Sequence, residues 1–160
     1  IVCEGTFFFS GFAMLLALGR QNKLQGVSDQ IKYTLRDESI HIKFGTYLIN
    51  TVIDQNPDIW TEDIQQEFVD HMKKTVELEI AYANDVLPTG ILGLNSNMFI
   101  DYMHYIGNRR LESIGLDYRF PSDTNPFPWL SEVVDTQAMT NFFERRVREY
   151  QQSGSLEDDF

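Results

Sequence analysis

Cysteine is nearly missing from this chain: Cys3 is the single one among 160 residues. No intrachain disulfide can form, so nothing points to an oxidising compartment and a reducing cytoplasm is the expected location. Positive charge is also scarce. Lys and Arg number 13 against 24 Asp and Glu, leaving a net charge of −11, which speaks against binding nucleic acid or an anionic membrane surface. No transmembrane run or signal peptide is present, because the apolar opening stretch is interrupted by Glu4, Arg20 and Asn22 and has no basic leader. Alternation of polar and apolar residues, the mark of half-buried strands, is not sustained anywhere. An initiating Met is lacking, and no N-cap residue precedes the helical pattern that begins at Ile1. The expectation is therefore part of a larger domain, completed by an upstream segment or by another polypeptide.

What the sequence does carry is helical period over most of its length, and the predicted fold class is all-α. The length suits one ordinary domain with a real core. A first helix is expected over residues 1–20, where Phe7, Phe8, Phe9, Phe12, Met14, Leu15 and Leu16 make it apolar around most of its circumference. Ser28 is the predicted N-cap of a second helix, which sends Ile31, Leu35, Glu38, Ile42, Gly45, Leu48 and Ile49 towards a common interior and ends before Asn56-Pro57. A third starts at Thr61 and repeats Ile64, Phe68, Met72, Val76, Ile80 and Ala83 up to Pro88. After a turn over 90–95, a fourth runs through Phe99, Tyr102, Ile106 and Leu111 to Gly115. These four make a bundle portion, 1–116. Pro121, Pro126 and Pro128 then mark an irregular aromatic strap within 117–140. Residues 141–160 read as a short helix followed by a polar, finally acidic tail that orders on a partner.

Chemistry concentrates at Arg36-Asp37-Glu38-Ser39-Ile40-His41. A carboxylate and an imidazole three residues apart project from one helix face, one helix's share of a dinuclear metal site in a four-helix bundle. Alone, such a pair is commonly just a solvated ion pair. Glu4 adds weight, because it is a carboxylate in an aromatic helix, where an unpartnered charge is costly to bury, and carboxylate with imidazole suits iron or manganese. A complete site of this type takes a Glu from each of two helices and a Glu-x-x-His from each of two others. No second Glu-x-x-His occurs: His71 follows Phe68, and His104 follows Asp101, at that spacing. Both are read as surface or supporting histidines. The residues thus spell out a half-site.

Five stretches together resemble the radical-generating small subunit of class I ribonucleotide reductase, in its C-terminal half. They are Cys3-Glu4-Gly5-Thr6-Phe7-Phe8-Phe9-Ser10-Gly11-Phe12, the Glu38 and His41 run above, Gly90-Ile91-Leu92-Gly93-Leu94-Asn95, Asn125-Pro126-Phe127, and Asn141-Phe142-Phe143-Glu144-Arg145-Arg146-Val147-Arg148-Glu149-Tyr150-Gln151. The resemblance implies a ferritin-like four-helix bundle in which Glu4, Glu38 and His41 are ligands of an Fe/Fe or Mn/Fe pair. It implies that Asp37 hydrogen-bonds a ligand histidine from the other half, fixing the imidazole's orientation. By the same resemblance Phe8, Phe12 and Thr34 fall near an apolar pocket beside the metals, Tyr150 relays an oxidising equivalent between subunits, and Glu144 is an acid near that path. The ending Leu156-Glu157-Asp158-Asp159-Phe160 is similar to the peptide that docks on the large subunit, with Leu156 and Phe160 as apolar anchors. The implied partners are the N-terminal half of the small subunit, the large subunit and a second small subunit in a homodimer. The implied reaction is reduction of ribonucleotides to deoxyribonucleotides.

Two alternatives stand beside this. A ferritin-like di-iron oxygenase or iron-storage bundle shares Glu4, Glu38 and His41 but gives no reason for Tyr150 or the Phe-ended tail. A non-catalytic interaction fragment, unable to hold metals alone, is the other.

Overall fold

The computed structural model describes residues 1–91 and 93–131. The first predicted helix is two pieces: a π-helical turn, Cys3–Phe7, runs into α1, Phe9–Arg20. A π turn places one extra residue in the helical ladder and re-aims the side chains on either side of it. Such an insertion leaves the apolar pattern helical, so the sequence reads as one continuous helix.

Helix α2, Gln25–Gln55, starts earlier than Ser28. Leu24 makes the reversal at φ 52, and Gln25 Nε2 donates to Gly19 O at 2.7 Å, tying the end of α1 to the first turn of α2. Ser28 is not the cap; it is buried against Gly19, where a larger residue would not fit. Helix α3, Glu62–Val86, begins where expected: Thr61 Oγ1 accepts from Ile64 N, and Glu62 and Asp63 occupy the first turn, favourable at the positive end of the helix dipole. Helix α4, Ser96–Glu112, is capped by Asn95, whose side chain accepts from Met98 N at 3.1 Å. It ends ahead of Gly115, whose φ of 77 favours glycine.

Helix α1 packs on α2 and α3 on α4, while the π turn touches α2, α3 and α4. The shared core includes Phe12, Leu16, Leu35, Met72, Val76, Phe99, Met103 and Leu111. The described part of the aromatic strap folds back on α4. Phe127 meets Phe99 and Tyr102 at ring separations of 5.1 and 5.0 Å. Asn108 fastens it: its Oδ1 accepts from Phe120 N at 2.6 Å, and its Nδ2 donates to Ser122 O at 3.2 Å. No strand occurs among the described residues, only one isolated bridge, Ile91 with Leu94. Among them, too, no helix is long and apolar enough to cross a membrane.

Helix α2 has 31 residues and α1 only 12, so much of α2 has no described partner. Ile40, Phe44, Tyr47, Leu48 and Val52 are exposed along it. Leu48, expected in the interior, therefore lies on an open apolar face.

Candidate metal centre

The π turn brings Glu4 against the middle of α2, where Glu38 and His41 share one face. His41 Nδ1 lies 3.2 Å from Glu38 Oε2 and 3.6 Å from Glu4 Oε1. One donor atom from each of the three falls within 4.8 Å of the others, the arrangement a metal ion requires. Two carboxylates and an imidazole make an oxygen and nitrogen donor set suited to iron or manganese. Three residues are too few to satisfy two such ions, so the donors fit a dinuclear centre only as part of it. The setting agrees with that count. Glu38 is largely covered at 14 % side-chain exposure, whereas Glu4 and His41 remain 49 % and 52 % exposed. Glu4 and His41 thus face outwards, although Glu4 lies in an aromatic helix and His41 shares a face with the covered Glu38. Phe8, Ile40 and Phe44 are exposed as well, leaving apolar surface around these polar ligating groups uncovered.

Asp37 precedes Glu38, is exposed, and makes no ion pair with Arg36 or any other described residue. Phe12 is buried, with Phe8 at a ring separation of 6.1 Å and Phe9 at 5.8 Å. Thr34, one turn before Glu38, donates its hydroxyl to Gln30 O at 3.4 Å. Glu144, Tyr150, Leu156 and Phe160 lie outside the described residues. Neither remaining histidine joins the cluster. His71 is exposed on α3 with Nδ1 2.9 Å from Glu67 O. His104 stacks on Phe120 at 5.6 Å, its Nδ1 is buried without a partner among the described residues, and burial lowers its pKa against the opposing pull of Asp101.

Sequence reasoning missed the polar groups behind the π turn. Ser10 gives both its hydroxyl and its backbone N–H to the Glu79 carboxylate from α3. Burial raises the Glu79 pKa, and these hydrogen bonds oppose the shift. From α4, Arg110 Nε donates to Gly5 O at 2.9 Å, and its guanidinium lies 5.3 Å from the Phe9 ring centre. Burial pulls the Arg110 pKa down to about 10, with Tyr102 opposing, and burial also raises Tyr102. One signal was legible: Glu79 falls in the apolar repeat Met72, Val76, Ala83, where a carboxylate needs a partner.

The family model described as "Ribonucleotide reductase, small chain" matches residues 1–126. A ribonucleoside-diphosphate reductase subunit beta from Chlamydia pneumoniae is 54% identical over 156 residues, which are 98% of this chain and 45% of that protein. The corresponding subunit from Treponema pallidum is 32% identical over 162 residues, 99% of this chain and 46% of that protein. Among solved structures, a ribonucleotide reductase subunit from Clostridium botulinum superposes with a TM-score of 0.79 at 34% identity, covering 83% of this chain and 42% of that one. The chain thus spans a little under half the length of these relatives.

Proposed function

Since the chain belongs to the ribonucleotide reductase small-chain family, whose members carry a metal cofactor and work with a large subunit, we propose that it supplies half of the ligands of that cofactor. The observation that carries this reading is the convergence of Glu4, Glu38 and His41 from two separate segments. The proposed cofactor is a dinuclear Fe/Fe or Mn/Fe centre, completed by residues of an N-terminal half outside this sequence. Two things support that completion: the short ligand count, and the apolar surface left open around the cluster.

When bound, the metal pair supplies an oxidising equivalent from its reaction with oxygen. Glu4, Glu38 and His41 hold the metals. Asp37 accepts a hydrogen bond from an imidazole of the other half, and its freedom from ion pairs leaves the carboxylate available for that. Phe8, Phe12 and Thr34 keep water from the site, which protects the oxidant from stray reductants. Tyr150 gives up and regains an electron and its phenolic proton on the way to the large subunit, with Glu144 as a nearby acid. Leu156 and Phe160 anchor the tail there, the acidic residues between them setting encounter and register. In this scheme residues 1–116 are the bundle portion, 117–140 the strap and 141–160 the tail. The complete small subunit acts as a homodimer, and the product is deoxyribonucleotide made on the large subunit.

The test is metal stoichiometry in the complete small subunit with Glu38→Ala or His41→Ala. About two metals per subunit are expected in the parent, and a loss of bound metal together with the oxidised cofactor's visible absorption in each variant. Parent-like metal content and absorption in both would remove these residues from the site.

A further inference from the structure

We propose that Arg110 is a positioning residue: together with Glu79 it clamps the junction between the π turn and α1 and so fixes where the Glu4 carboxylate points. The inference rests on the reading of Glu4 as a metal ligand and adds to it a device, built from α3 and α4, that neither the ligand pattern nor the helical period contains.

In an uninterrupted α-helix the Gly5 carbonyl would accept from Phe9 N–H and the Ser10 N–H would donate to Thr6 O. Here the helix changes register between Phe7 and Phe9. The Gly5 carbonyl receives Arg110 Nε at 2.9 Å, and the Ser10 N–H goes to Glu79. A cationic donor and an acidic acceptor, on two different helices, thus bind a carbonyl and an amide on the two sides of the register change. Backbone groups inside a packed core need partners, and the bond from the cationic Arg110 is of the stronger, charge-assisted kind.

The fit around Gly5 is close. A Cβ there would lie 3.1 Å from Arg110 Nε and 3.3 Å from its Cδ, so the arginine stem lies directly on the turn's backbone. Phe9, the first residue of α1, takes the guanidinium on its ring. Among the described residues no carboxylate forms an ion pair with Arg110. Among the described residues its side chain makes one hydrogen bond, to the carbonyl of Gly5, the residue after Glu4. Glu38 and His41, by contrast, stand on α2, a regular helix to which, among the described residues, neither the Arg110 nor the Glu79 side chain makes a hydrogen bond. Loss of Arg110 should therefore misplace one ligand of the three and leave the other two where they are.

The experiment uses the complete small subunit, parent and Arg110→Gln, titrated with Mn(II) and followed by the EPR signal of free manganese. Hydrogen exchange is read on peptides covering residues 3–12 and 36–44. The expected result is at least tenfold weaker Mn(II) binding, with at least tenfold faster exchange over 3–12 and unchanged exchange over 36–44. Arg110→Lys, which keeps the charge and can still donate, should recover part of both, and it serves as the working variant if Arg110→Gln does not fold. His41→Ala is the control for the ligand reading. If His41→Ala weakens Mn(II) binding while both Arg110 variants bind like the parent, the clamp is refuted and the ligands stand. If His41→Ala itself binds like the parent, the ligand reading fails first. Weaker binding with faster exchange over both segments would make Arg110 a general stabiliser, which also overturns the proposal.

Discussion

Desolvation outweighs the hydrogen bonds from Ser10 at Glu79, so the folded protein favours the protonated carboxyl. The direction of the pH dependence follows. With a folded pKa above the unfolded value of 4.5, the stabilising contribution of the acid is full below the unfolded pKa and is lost as pH rises through the folded one. Glu79→Gln stays neutral throughout and keeps an oxygen to accept from Ser10. Thermal melts of the complete small subunit should show the variant at least as stable as the parent near pH 7, with any advantage shrinking towards pH 4. A variant clearly less stable at pH 7 would mean that the ionised carboxylate is what the junction requires. At the same scale Glu38 and His41 were legible because a spacing of three residues fixes a shared face whatever the tertiary structure. Arg110 was not, since an arginine in the last turn of a helix already has a local reason to be there, favourable contact with the negative end of the dipole. Only the fold reveals that it reaches back to Gly5.

Elements were legible where their ends carry their own chemistry. Thr61 announces α3, and Asn56-Pro57 and Gly115 close α2 and α4 in the residues themselves. The start of α2 was misread because Ser28 has the chemistry of a cap but the job of a spacer. An ideal Cβ on Gly19 would come within 2.4 Å of Ser28 Cβ, so the two helices approach through glycine. Gly19→Ala should overpack this crossing and cost about 1–3 kcal/mol. Ser28→Gly in the same chain should return a good part of that loss. Chemical denaturation of the two single variants and the double variant measures it, and additive losses would show that the contact does not decide the packing. The open face of α2 is the other lesson at this scale. Its period is helical and its apolar stripe is continuous, yet Leu48 and Phe44 are exposed, because sequence periodicity gives the side of a helix that wants a partner without saying whether the described residues provide one.

Across the whole molecule, three ligands cannot satisfy two metal ions. The isolated chain should bind no stable metal pair, and about two metals per subunit should appear once the remaining half is supplied; tight two-metal binding by this chain alone would contradict the half-site. The tail then separates this reading from other di-metal bundles, because two of its proposed roles fail in different ways. Tyr150→Phe removes only a phenolic oxygen. Fold, metal content and affinity for the large subunit should stay close to the parent, while deoxyribonucleotide formation collapses at every large-subunit concentration. Deleting 156–160 instead removes an apolar anchor. Binding weakens, but mass action offsets a weaker anchor, so activity should return in part as the large subunit is raised. The decisive measurement is turnover at saturating large subunit. Substantial activity from Tyr150→Phe there would end the relay assignment even with the metal site confirmed, because a lost redox group, unlike a lost contact, is not restored by concentration.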